Sequence, residues 1–125
     1  MADVNTVTTV GLGLVTADLV AGDNKFIAFG TGTTTPTVSD TTLETESSED
    51  RTSGTQSAVT TTTTNDSYQV VGTITASGGA RAITEVGIFS ASTAGSMLLR
   101  GTFSVVNLSD GEGIAFTIKA ISDQA

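Results

Sequence analysis

Four carboxylates fall within seven positions, at Glu44, Glu46, Glu49 and Asp50. Close carboxylates can hold a hard cation or divide acid and base roles between them. A calcium loop needs several oxygen ligands at fixed spacing and a glycine at its turn. Glu44-Thr-Glu46 and Glu49-Asp50 lack that pattern. The cluster therefore reads as a solvated face, or as a patch that meets a basic partner. Asp110-Gly-Glu112 is an ordinary Asp-Gly turn. Gly30-Thr-Gly-Thr-Thr lacks the Gly-Lys-Ser/Thr ending of a phosphate loop, and no helical pattern follows it. Serine and threonine are abundant, but without histidine or cysteine, and with only two lysines, a nucleophile has no evident base. A carboxylate pair for glycoside cleavage would need aromatic platforms to seat a sugar, and the chain has no Trp and a single Tyr. No enzymatic activity and no cofactor are expected.

Glu85 stands apart, because it lies between apolar residues in a strand-like run. Two readings remain open at this point. Glu85 pairs with Arg100 across a hairpin, buried or at an interface, or it faces solvent. Opposite charges on facing strands contribute only about 0.2–1 kcal/mol, which does not decide between the two.

The elements that would position these groups follow from composition and pattern. The chain has 125 residues, the size of one domain with a core that needs no staples. Threonine fills 25 positions, accompanied by much Gly, Ser and Val, which favours strands and turns over long helices. The net charge is −8, and the five basic residues are scattered, so no basic stripe exists to neutralise a nucleic acid. No apolar run is long enough to span a bilayer as a helix, and Met-Ala-Asp-Val-Asn has neither the basic nor the apolar region of a secretory signal.

The apolar centre is a hairpin over 82–106. Ala-Ile-Thr-Glu-Val-Gly-Ile-Phe leads into a small polar turn and then Met-Leu-Leu-Arg-Gly-Thr-Phe-Ser-Val-Val. Met97, Leu99, Phe103 and Val105 are expected on one face of its second strand. Residues 1–10 read as an arm or edge strand. Spacings of three and four among Leu12, Val15 and Leu19 predict a short helix over 11–20, with Gly22 at its end. Lys25–Gly32 predicts a strand with apolar residues on both faces. Residues 33–56 read as a long polar, acidic excursion with little core of its own. Strands follow over 57–64, 67–76 and 114–120, the first two joined at Asn65-Asp66. The expected fold is mainly β, an antiparallel sandwich or barrel of about six strands with one short N-terminal helix. It spans 1–125 as one domain, with its β core over 57–121.

Several segments together resemble small structural proteins of tailed bacteriophages. They are the aromatic strand ending Gly30-Thr-Gly32, Thr-Leu-Glu-Thr-Glu leading to Arg51, the run Ser-Tyr-Gln-Val-Val-Gly-Thr-Ile-Thr, Ile-Thr-Glu-Val-Gly-Ile-Phe, and Leu-Leu-Arg. The chain is most similar to head decoration, or cement, proteins. A related pattern occurs in tail fibre and collar domains. The resemblance implies a non-enzymatic protein on the capsid exterior, made in the host cytoplasm, bound to the major capsid protein and forming a homo-oligomer, with a trimer expected. Alternatives are a tail fibre, collar or baseplate component and, from another class, a glycan-binding module. No catalytic residues carry over. Segments without cores of their own are the expected contact surfaces. These are Val4, Val7 and Val10 in the arm, and Leu43, Glu44, Glu46 and Arg51 in the excursion.

Overall fold

The computed structural model describes residues 8–62 and 64–121. Val4 and Val7, with most of the N-terminal arm, lie outside the described residues. In chain order the elements are α1 (Thr9–Ala21), β1 (Phe26–Gly30), β2 (Thr52–Ser53), β3 (Thr55–Val59), β4 (Ser67–Thr75), β5 (Arg81–Phe89), β6 (Met97–Leu108) and β7 (Gly113–Ile121).

The strands form two antiparallel sheets, ordered β2-β1-β5-β6 and β3-β4-β7. Period-2 patterning dictates this packing. Ile27 and Phe29 of β1, and Ile83, Val86 and Ile88 of β5, point between the sheets toward Tyr68, Val70 and Ile74 of β4. Phe103 of β6 and Phe116 of β7 meet across the gap, with ring centroids 6.1 Å apart. The result is a sandwich with the expected hairpin β5–β6 in its larger sheet.

The β5–β6 pairing slips twice, between Ile83 and Glu85 and between Ile88 and Phe89. The first bulge lets Ile83 and Val86 both face the interior although they differ in parity. It also carries Val105 away from the core face expected for it. Val105 is 53% exposed, and Met97, beyond the second slip, packs with outward-facing Ala28 and Phe89, so of the four residues expected on one face only Leu99 and Phe103 share the interior.

Three further expectations are corrected. The helix begins at Thr9, so Val10 belongs to its first turn rather than to an arm. Thr8 caps it, its hydroxyl accepting from the Gly11 N–H at 3.0 Å. The threonine run after β3 does not continue as strand to 64. The Asp66 carboxylate accepts the N–H groups of Thr61 and Thr62 at 2.9 and 3.0 Å, which turns the backbone out of the ladder. And 33–56, expected as an excursion with little core of its own, is not free of strand. Its last residues form β2 and begin β3, and Leu43 within it is buried.

That excursion makes a third layer. On β1, Ile27 and Phe29 face the sandwich, while Phe26 and Ala28 face outward. The outward pair packs with Leu43, Phe89 and Met97. Strand β1 is thus buried on both faces, as its sequence predicts. Burying Leu43 there contributes about 1.5–3 kcal/mol, enough to anchor the layer but not to define its path.

Candidate functional site

The path of residues 31–51, here called the strap, is fixed by one carboxylate. Glu85 lies on the outer face of β5 and has no exposed surface. The N–H groups of Gly32 and Thr45 both donate to its Oε2 at 2.8 Å. The Glu44 N–H donates to Oε1 at 3.0 Å, and Arg100 Nε donates to Oε1 at 2.8 Å. Two distant parts of the strap and a neighbouring strand therefore converge on one side chain. Of the two readings open in the sequence, the buried pair with Arg100 is the one that forms.

The strands place this pair by register. Glu85 faces Gly30 on one side and Thr102 on the other, while Arg100 faces Gly87. Three positions around the pair therefore lack room for side chains. A Cβ at Gly30 would stand 2.3 Å from the Thr45 carbonyl oxygen. At Gly32 it would stand 2.4 Å from Glu85 Oε2, and at Gly87 2.9 Å from a Leu43 methyl. Glycine is required here for close approach, not for its backbone angles. The Thr84 hydroxyl donates to the Gly32 carbonyl at 2.7 Å and holds the same turn from the other end.

Arg100 extends the network outward. Its side chain is 3% exposed. Nη1 donates to Asp40 Oδ2 at 3.0 Å, and Nη2 donates to the Thr34 carbonyl and hydroxyl at 3.1 and 3.3 Å. Asp40 is held in turn by the Thr37 N–H and hydroxyl, each at 3.0 Å. Burial works to raise the Glu85 pKa, but the Thr45 N–H, Arg100, and the Glu44 and Gly32 N–H groups outweigh it and hold it below the usual carboxylate value. Glu44 is lowered by the Thr34 and Thr33 N–H groups, and Asp40 by the Thr37 N–H and then its hydroxyl. The Glu85 carboxylate raises the Arg100 pKa. All four groups are charged at neutral pH.

The sequence-derived contact residues fall in two places. Leu43, Glu44, Glu46 and Arg51 share the strap layer, and all four have partners inside it. Leu43 is buried against Ala28 and Phe89. Arg51, with a side chain 8% exposed, grips Glu46 through two bonds of 3.0 Å. It also donates to the carbonyls of Ala91 and Ala94 at 2.9 and 2.8 Å, and its guanidinium stacks on the Phe89 ring at 3.6 Å. Glu44 accepts the Thr33 and Thr34 N–H groups at 2.7 and 3.1 Å. Glu49 pairs with Arg81 at 3.2 Å. Glu44, Glu46 and Glu49 of the acidic cluster thus have internal donors, while Glu44, Glu46 and Asp50 are exposed, so the cluster is solvated as expected and internally bonded as well. Val10 is separate from all of these, on a helix that packs on β3 and β4.

Sequence reasoning missed Asp40, Thr34, Thr84 and the N–H of Gly32. For Asp40 the signal present was Thr37-x-x-Asp40, a capping pattern with no helix after it. Nothing local pointed to an arginine sixty positions away. Among the described residues no group of His, Cys, Asp and Glu is arranged to hold a metal ion. The surface depressions beside the strap are lined mainly by Ser, Thr, Asp and Glu, among them the already bonded Asp40, Glu44, Glu46 and Glu49. No protein-family model, curated protein or solved structure matches the chain.

Proposed function

We propose that the protein is a non-enzymatic structural component of a tailed-phage virion. In this reading it is a decoration protein that binds the major capsid protein on the head exterior as a homo-oligomer and stabilises the shell. One observation carries the reading. Apart from the run in β4, the segments that resemble phage structural proteins meet in a single network: Gly30 and Gly32, Leu43 to Glu46, Arg51, Glu85 to Phe89, and Arg100. Their joint role is to clamp a long strap onto a sheet. A clamped strap presents a preformed surface, so docking orders little chain and loses little entropy. The chemistry is that of a building block, with carboxylates spent on backbone N–H groups and arginines.

The test is cosedimentation of the purified protein with phage heads that lack it. Saturable binding at a fixed ratio to coat subunits, with a raised temperature of head disruption, is the expected result. Absence of binding to heads, with recovery of the protein from purified tails, would assign it to a fibre, collar or baseplate instead.

A further inference from the structure

The two flanks of the sandwich are built differently. On one, the edge strands are short, β2 with two residues and β3 with five. Gly54 alone joins them, so the chain itself passes from sheet to sheet. It fills the gap there, since a Cβ on Gly54 would stand 2.5 Å from a Val70 methyl and 3.2 Å from an Ile27 methyl. On the other flank the edges are β6, with twelve residues, and β7, with nine. Among the described residues no backbone pairs with the outer side of either. Neither strand contains proline, and Lys119 is the one charged residue of β7. Edge strands are ordinarily kept short, charged, interrupted or covered, because their free N–H and C=O groups are a template for another strand.

The core is open on the same flank. The residues of β7 that point between the sheets, Ile114, Phe116, Ile118 and Ala120, are only half-buried, and so are Leu99 and Phe103 of β6. Ile27, Tyr68 and Val70, one strand in from the closed flank, have no exposed surface. What fits the open flank therefore brings two rows of strand backbone, one sheet separation apart, with apolar side chains between them. A single extended peptide supplies one row. A second copy of the same flank supplies both, provided that one two-fold axis serves both edges.

The geometry meets that condition. The midpoint of β6 falls at Thr102 and Phe103, and that of β7 at Thr117. Phe103 and Phe116 meet across the gap, with ring centroids 6.1 Å apart. The two midpoints are thus stacked on one line. A two-fold axis along that line, normal to both sheets, sets each edge antiparallel to its own copy and keeps inward residues inward. Lys119 lies two residues past the midpoint, so the two lysines of a pair stand about 13 Å apart along the strands, beyond a Debye length of about 8 Å. Strands of these lengths, in sheets about 10 Å apart, give a contact of roughly 1,200 Å² in total, the size of a specific interface.

We propose that the β6–β7 flank is a two-fold self-association surface, through which both sheets continue into a second copy of this chain, β6 beside β6 and β7 beside β7. The proposal goes beyond the virion reading and does not depend on it. It commits to a dimer contact, where the resemblance to decoration proteins implies a trimer.

The test is sedimentation velocity of the full chain over a concentration series, for the parent, Thr117→Lys and Thr55→Lys. Both positions are exposed on the outer face of the smaller sheet, so both variants fold, checked by circular dichroism. Thr117 lies beside the proposed axis, and Thr55 lies on the short edge of the closed flank. Each variant moves the net charge from −8 to −7, which eases repulsion between whole molecules equally. The parent is expected to form dimers. Thr117→Lys brings like charges together across the axis and is expected to weaken dimerisation about fivefold or more, with Thr55→Lys within about twofold of the parent. Hydrogen exchange of the parent needs no variant. The amides on the outer sides of β6 and β7 are expected to gain protection as dimer forms, and those of β4 and β5 to change little. A parent that is monomeric throughout or trimeric overturns the proposal. So does a dimer weakened by Thr55→Lys and not by Thr117→Lys, or one whose β6 and β7 edge amides gain no protection. A dimer with the expected protection that does not bind phage heads upholds the proposal and counts against the virion reading alone.

Discussion

Arg100 Nε lies 2.8 Å from Glu85 Oε1, and neither side chain has more than 3% of its surface exposed. Taking two such charges out of water is expensive, and the cost is offset only when the remaining donors and acceptors are also matched. Here they are matched by the strap, whose backbone supplies three N–H groups to the carboxylate and whose Thr34 and Asp40 receive the guanidinium. The pair and the strap therefore depend on each other.

Removing one partner leaves the other charge buried and uncompensated. Glu85→Ala is predicted to lower stability by about 3–5 kcal/mol. Arg100→Met is predicted to fall in the same range, and the double variant to lose far less than the sum of the two. Urea denaturation of the four proteins closes the cycle. Additive losses would show that the two residues act separately.

The direction of the carboxylate shifts sets the acid limit. Glu85, Glu44 and Asp40 all have folded-state pKa values below their unfolded ones. Their contribution is complete above the unfolded values, near pH 4, and is lost as pH falls through the depressed folded values. With no histidine, little should change between about pH 5 and 8. On the alkaline side, burial pushes the Tyr68 phenol up to about 12, so stability falls again as pH rises from about 10 toward that value. Melting temperature against pH should show a flat centre with an acid edge. A transition centred near pH 6.5 would contradict this assignment.

Two glycines are predicted to respond with opposite signs. Gly32→Ala puts a methyl group 2.4 Å from Glu85 Oε2 and 2.5 Å from Glu44 Cβ, and is predicted to cost about 1–3 kcal/mol or more. Gly13→Ala meets nothing within 4 Å in the middle of α1, and is predicted to stabilise by about 0.5–1 kcal/mol. Denaturation midpoints that shift the same way for both would show that local space is not what decides.

Arg51 uses planar geometry as well as charge. It grips Glu46 through two nitrogens, donates to two turn carbonyls and stacks on Phe89. Lysine keeps the charge and none of the fork. Arg51→Lys is predicted to cost about 1–3 kcal/mol and to speed proteolytic nicking of the turn over 90–96. A lysine variant with parent stability and parent protease resistance would reduce the interaction to simple charge pairing.

The strands were legible because period-2 patterning survives in β4 and β7, where Tyr68, Val70 and Ile74 share one face and Ile114, Phe116 and Ile118 do the same, with mostly polar or small residues between them. Strand β1 was legible as doubly buried for a different reason, the apolar residues on both of its faces. What covers its outer face was not legible. The strap is held by backbone N–H groups, which every residue but proline carries, so the sequence around Gly32 and Thr45 gives no sign of its partner. The bulge that exposes Val105 was equally hidden, since a change of register leaves no mark on local composition. Glu85 was recognised as unusual, but its burial depends on glycines more than fifty positions away.

Hydrogen exchange in the parent and in Glu85→Gln tests most directly whether one carboxylate holds the strap. The amide oxygen of glutamine can still accept, but its NH2 group meets donors where the carboxylate had accepted. The amides of Gly32, Glu44 and Thr45 are predicted to exchange at least about tenfold faster in the variant, with those of β4 and β7 unchanged, because the strap opens as a unit while the sandwich stays folded. Unchanged protection at those three amides would contradict the account, as would equal loss of protection throughout both sheets.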